Sequence, residues 1–459
     1  MLERKLCTGS AVLTCLAIAH VAEGAPTYQI VYHERLDISA RVDTKGQQHL
    51  EFDAYGRHFE VNLEPNDNIG RGVPAGRSDI KPYRGTLTAS TGSWVRLTRT
   101  QQGWRGMVSD GHELYAVEPI PAGAGGGASS APAIYRLADA IIPDGAAYCG
   151  TETDESLIAG ATGRATASQA YSSIAADLSR KDTTTNTSQQ LVVGVVADHT
   201  FTDNLGSDPE TEIVARMNVV DGIWSSQVGI SIVLGPLTVL TDTTDTFTST
   251  TTPTDLLSQV ADYRAKVATS NGPALTHLMT GRALDGNIVG ISYLGAVCDG
   301  NYSSSLSANI SSTTEGALIT AHELGHSFNA VHDGVAGVCA STPQTYLMAP
   351  TINFSNQFSA CSLTSIAATA KTASCVQAVS AASGSGSSGS TASSGSDPSV
   401  SSDPSGSGSS GTSGSNGSAS GSGSSGGGGS LDFAVLSLLA AVVSGRRAGI
   451  FRPSSTADK

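Results

Sequence analysis

The chain has 459 residues, of which 14% are charged, and a formal net charge of −14 at pH 7. That length accommodates two or three domains. So acidic a balance excludes the polyanionic backbone of nucleic acid as a partner.

In chain order, residues 1–24 read as a signal peptide. Arg4 and Lys5 precede a short apolar run at 11–19, and Ala22-Glu23-Gly24 supplies small residues for cleavage. The run is too short to span a bilayer. Cys15 inside it leaves a lipoprotein signal as an alternative, which Val12-Leu13-Thr14 fits poorly. Residues 25–150 then alternate in the manner of antiparallel strands. The runs fall at 28–32, at 50–63 with a break at Tyr55-Gly56-Arg57, at 94–97 and at 106–108. They predict an all-β N-terminal domain. A Gly/Ala-rich stretch at 119–133 and a polar linker at 151–189 follow. The linker holds Arg180-Lys181, which is either a proteolytic nick site or an ordinary solvated pair.

From 190 to 378 the pattern changes to α/β. A continuous apolar run at 191–197 predicts a buried strand. Asp208-Pro209 opens a helix whose apolar face is Ile213, Val214, Met217, Val220 and Trp224. Val228, Ile230, Ile232 and Leu234 alternate as a strand. Leu256, Leu257, Val260 and Tyr263 mark a helix, 275–279 a strand, and 288–294 an edge strand. Ser312 and Glu315 then fit a capping box, and Leu318, Ile319, Leu324 and Phe328 recur at helical spacing. That helix carries His322-Glu323-Leu324-Gly325-His326. Residues four apart share one helical face, so two imidazoles can point at one metal ion. Glu323 stands beside them as a general base. His332 lies beyond that face and can join only if the chain turns back. Asn329 falls at the turn and tolerates the left-handed backbone a helix end requires. His199 and His277 stand outside the pattern and receive no catalytic role.

These residues resemble the elongated zinc motif of the metzincins, with Asn329 in place of its glycine. Asp333 after the third histidine resembles the adamalysin/reprolysin branch, the ADAM-like metalloproteases. Tyr346-Leu347-Met348-Ala349-Pro350 is similar to that branch's Met-turn, and the blocks at 192–199, 277–298 and 354–362 follow its order. The phrase at 52–66 and the order of 83–85, 93–97 and 114–119 resemble the reprolysin propeptide. The resemblance implies a mixed, mostly parallel sheet with an active-site helix and a smaller C-terminal subdomain. It implies one catalytic Zn²⁺ on His322, His326 and His332, Glu323 as base, and Met348 beneath the site without ligating. The edge strand at 288–294 would pair with extended substrate. No calcium site is expected, because Gln190 stands near where an acidic residue would be and no Asn closely follows Cys375.

Cysteines add to this picture. There are 7, and Cys7 and Cys15 would leave with the signal peptide. The odd number remaining leaves one thiol unpaired. The resemblance implies Cys298–Cys375 and Cys339–Cys361 disulfides, with Cys149 left over. Cys149 is then either a cysteine switch, its thiolate on the fourth zinc position of a zymogen, or a free or intermolecular cysteine.

Residues 379–430 are a Ser/Gly-rich segment too poor in apolar side chains to fold, hence a disordered tether. In 431–459 a short apolar run is followed by Arg446-Arg447. That order resembles the GlyGly-CTERM sorting tail of Gram-negative bacteria, although 448–459 continue past the arginines. A short membrane anchor is the alternative. The sequence therefore predicts a secreted or cell-surface zinc metalloendopeptidase, latent at first, monomeric, and acting on protein or peptide substrates. Its tail would give it at most a transient membrane association. The competing class is a surface-tethered adhesion module of the same fold with little turnover, against which an intact Glu323 argues.

Overall fold

The computed structural model describes residues 28–42, 47–120, 132–141, 148–151, 189–205, 208–267, 272–310, 312–335 and 337–379. The expected signal segment, the nick site Arg180-Lys181 and the tail beyond 379 lie outside these residues. Among the described residues no helix is long and apolar enough to cross a membrane.

Alternation of apolar side chains builds the N-terminal region. Its strands are β1 (Gln29–Ile30), β2 (Glu34–Arg35), β3 (Ser39–Val42), β4 (Gln48–Ala54) and β5 (Arg57–Pro65), then, after a short helix α1 (Asp67–Gly70), β6 (Lys81–Leu87), β7 (Trp94–Thr100), β8 (Gly103–Ser109), β9 (Leu114–Pro119), β10 (Pro132–Arg136) and β11 (Ala140–Ile141). Nine of them form one antiparallel sheet in the order β2-β10-β9-β8-β7-β6-β5-β4-β3, while β1 pairs with β11. The break seen at Tyr55-Gly56 is a two-residue hairpin turn with φ of 55° and 67°. Positive φ at both central residues matches the twist of the flanking strands. It sets Phe52 opposite Phe59, their rings stacked with centroids 4.9 Å apart.

The second sheet is mixed and mostly parallel. Its strands are β12 (Tyr148–Thr151), β13 (Gln189–Ala197), β14 (Ile230–Val239), β15 (Leu275–Thr280), β16 (Ile288–Ser292), β17 (Ser304–Ala308) and β18 (Gln377–Ala378). Their order is β12-β16-β17-β15-β13-β14, with β18 on β13. Among the described residues five helices accompany it: α2 (His199–Leu205), α3 (Pro209–Gln227), α4 (Pro253–Val267), α5 (Thr313–Ser327) and α6 (Ala360–Ala370). Asp208 caps α3 by accepting from the Thr211 N–H at 3.2 Å, with Pro209 at the first helical position.

Two expectations need correction, and one strand was not anticipated. Strand β17 reads Ser-Ser-Leu-Ser-Ala and gave no periodic apolar signal, yet all five residues are buried between β15 and β16. Helix α3 is buried on nearly every side, not along one face, because the N-terminal sheet covers its outer surface. The capping box of α5 is half made: Ser312 accepts from the Glu315 N–H at 3.1 Å, but Glu315 Oε1 finds no hydrogen-bond partner among the described residues.

Candidate metal centre and active site

Helix α5 delivers the first two histidines and then stops. Asn329 takes φ of 66°, its N–H donates to the His326 carbonyl at 2.8 Å, and the Ala330 N–H reaches back to the Gly325 carbonyl at 3.0 Å. This is a Schellman closure, with the left-handed residue just past the helix end. It returns the chain so that His332 meets the other two. The Nε2 atoms lie 3.0 Å (His322 to His326), 3.1 Å (His326 to His332) and 3.3 Å (His322 to His332) apart.

The chemistry of this donor set fits a metal ion. His322 Nδ1 donates to the Leu347 carbonyl at 2.6 Å and His326 Nδ1 to the Ala330 carbonyl at 2.7 Å. A carbonyl only accepts, so each Nδ1 carries the proton and each Nε2 presents a lone pair. Burial, reinforced by His332, pushes His322 down to about 3 and His326 well below its ordinary value. Both rings are therefore neutral. Lone pairs so close repel unless a cation lies among them. Tetrahedral bonds of about 2.0–2.1 Å would set ligand nitrogens about 3.3–3.4 Å apart, close to what is seen.

Glu323 is fully buried, and burial raises its pKa well above the carboxylate range. Its oxygens take no hydrogen bond from any N–H or hydroxyl among the described residues. The group facing them is the Cys149 thiol, whose pKa burial and the Glu323 charge push well up. The sulfur, a His322 ring nitrogen and a Glu323 oxygen lie within 4.8 Å of one another. Cys149 arrives on β12, which runs parallel to edge strand β16 with Cys149 opposite Gly290. On its other side the Cys149 N–H donates to the Pro350 carbonyl at 3.0 Å. The extended segment thus lies between the sheet edge and the loop after Met348. The edge expected to receive a peptide already pairs with one from the same chain.

Supporting groups hold this arrangement. Met348 is fully buried against Gly325 of α5, where a Cβ would come within 2.6 Å of its sulfur, so only glycine permits this approach. The Asp333 N–H donates to the Met348 carbonyl at 2.8 Å, and its carboxylate accepts from Ser359 at 2.9 Å. Ser359 caps α6, so Asp333 joins the third-histidine loop to the C-terminal helix. Burial raises Asp333 to about 6, against the opposing effect of its serine hydroxyls. Cys298–Cys375 and Cys339–Cys361 are disulfides with Cα–Cα distances of 5.4 and 5.8 Å, and Cys149 is free and buried. His277 lies in the core between Ser305 and Ser307, and His199 pairs with Asp245. Neither joins the triad.

Sequence reasoning passed over Glu118. It lies at the end of β9 and accepts from the Ser312 hydroxyl at 2.8 Å and from the N–H groups of Thr313 at 2.7 Å and Thr314 at 3.2 Å. A carboxylate from the N-terminal sheet thus caps the helix that carries the histidines. The only clue was a charge within the apolar run Leu114-Tyr115-Ala116-Val117.

Residues 186–362 match the family described as Metallo-peptidase family M12 (Reprolysin_5). The match supports a metalloprotease. The chain is also 29% identical over 184 residues to "Disintegrin and metalloproteinase domain-containing protein B" of Arthroderma otae, covering 34% of this chain and 23% of that protein. The protein of the same name from Trichophyton verrucosum is 28% identical over 184 residues, with the same shares covered. The chain thus spans less than a quarter of the length of these relatives.

Proposed function

We propose that the chain is a secreted zinc metalloendopeptidase, made as a latent zymogen, that hydrolyses peptide bonds in extracellular proteins. The observation that carries this reading is the convergence of three Nε2 atoms beside a buried carboxylate that lacks an N–H or hydroxyl donor. His322, His326 and His332 would hold the ion. Bound there, Zn²⁺ supplies Lewis-acid polarisation of the scissile carbonyl and acidifies water. Glu323 accepts a proton from the attacking water at a carboxylate oxygen and returns it to the departing amine. Strand β16 offers its free edge to the substrate backbone once Tyr148–Thr151 has left. Beside it, Leu318, Ile319, Leu347, Ile352 and Phe354 line a narrow apolar cleft that Cys149 also borders. In the latent form Cys149 fills the approach to the histidines and Glu323. Two disulfides and the resemblance to reprolysin propeptides support an exported precursor.

The test uses protein cut between residues 152 and 188 and a peptide library. Cleavage is expected, and a zinc chelator should abolish it. Glu323→Ala should lower kcat by roughly 10²–10⁴-fold, the usual contribution of a general base, with metal content unchanged. Undiminished cleavage by Glu323→Ala would remove the assigned base.

A further inference from the structure

The N-terminal sheet does more than deliver Cys149. Strand β7 is buried on both faces. Val95 and Leu97 enter the sheet's own core, while Trp94, Arg96 and Thr98 face α3. Arg96 Nε donates to Asp221 at 2.9 Å and its guanidinium also donates to Ser225 at 2.9 Å. Asn66 donates to Asn218 and to Asp221, each at 2.9 Å, and Asn218 donates to Thr98 at 3.2 Å. Arg105 pairs with Glu212 at 3.1 Å. A Cβ at Gly222 would come within 2.7 Å of the Trp94 ring and of Arg96, so the two surfaces meet at backbone distance.

Arg96, Asn66, Thr98, Asn218, Asp221, Ser225 and Glu212 are buried and Arg105 is half-buried, while Asn66 Oδ1 and Arg105 Nε find no partner among the described residues. Around them a single hydrophobic cluster is continuous from Tyr28, Ile69, Trp94 and Met107 to Val214, Met217 and Phe354. Tyr28 sets its ring edge-on to Phe354 at 4.8 Å, beside the apolar cleft. Pulling the surfaces apart would bare a core, and an interface built like a divided core marks an obligate partner. The latch is a different kind of contact. It consists of the four residues Tyr148–Thr151, held between the β16 edge and the loop after Met348.

We propose that the N-terminal domain is a permanent subunit of the protease. After a cut between 152 and 188 it stays bound through α3 and the cap on α5, and opening the site displaces only the strand Tyr148–Thr151. The inference rests on the latent-precursor reading for the cut itself. Inhibition and attachment are then separate: the first resides in the latch, the second in the sheet.

The experiment introduces a specific protease site between residues 152 and 188 of the full chain and cuts it to completion. Size-exclusion chromatography at neutral pH, in low and in high salt, should give one species containing both fragments, separable only in denaturant. At a common denaturant concentration, Arg96→Ala should release the N-terminal fragment at least tenfold faster than the wild type. An N-terminal fragment that elutes alone from the cut wild-type protein in native buffer, whatever the state of the remainder, overturns the proposal. An unchanged release rate in Arg96→Ala contradicts the assigned contact. Latency is read separately, from peptide cleavage before and after the cut. A co-eluting pair no more active than the uncut chain sinks the latency reading and leaves retention standing.

Discussion

Asn329 carries the turn on which the third ligand depends. A Cβ in the left-handed region is strained, and asparagine bears that strain better than most residues. Its φ of 66° places it where glycine would serve without strain. Asn329→Ala is therefore expected to lower stability by about 1 kcal/mol relative to Asn329→Gly, read from denaturant unfolding of the two variants. Equal midpoints would mean that the turn is not strained. The need for a turn here was legible in the sequence, because His332 lies six positions after His326 and no helical face spans that gap. The hydrogen bonds that orient the rings were not legible. They end on the backbone carbonyls of Leu347 and Ala330, which no side-chain pattern announces.

At the scale of the element, the N-terminus of α5 is capped by Ser312 and by Glu118 of β9. Its first turn holds Glu315, which burial raises to about 8 despite the opposing pull of Arg216. Folding thus retains a proton that the unfolded chain releases near its ordinary value of 4.5. The contribution to stability is complete below about pH 4.5 and is lost as pH rises toward about 8, at up to roughly 1.4 kcal/mol per unit. Glu315→Gln cannot ionise and should escape that loss. Its melting temperature should exceed that of the wild type by a margin that widens between about pH 5 and about pH 8. A constant margin would show that Glu315 is ionised in the fold. The sequence suggested a capping box here, and Ser312 fills its part. Glu315 does not complete the box, and the N–H groups of Thr313 and Thr314 are taken instead by Glu118 from across the domain junction. A local pattern cannot anticipate a competitor 195 residues away. Strand β17 escaped detection for a related reason: its serines are buried by the sheets and helices around them, not by their own hydrophobicity.

Across the whole molecule, two disulfides fix the C-terminal segment: one ties it to the loop between β16 and β17, the other ties α6 to the loop after His332. Cys298–Cys375 closes 77 residues and Cys339–Cys361 closes 22. Chain-entropy arguments assign them about 4.5 and about 3.4 kcal/mol, respectively. Replacing each pair by alanines and measuring chemical unfolding should give losses in that order. A larger loss from the 22-residue loop would show that local packing around Cys339, not chain entropy, sets its value. The α/β order of strands and helices was readable from periodicity, as was the β-rich character of the N-terminal region. Their union through α3 was not, since Arg96, Asn66 and Asp221 each look like ordinary solvent-facing polar residues until the two sheets are brought together. The most direct measurement of the central claim is metal analysis of the folded full chain after equilibration with zinc and gel filtration. One zinc per chain is expected in the wild type, with none retained by a His322→Ala, His326→Ala double variant that keeps its circular dichroism. Folded wild-type protein that retains no divalent metal would contradict the account.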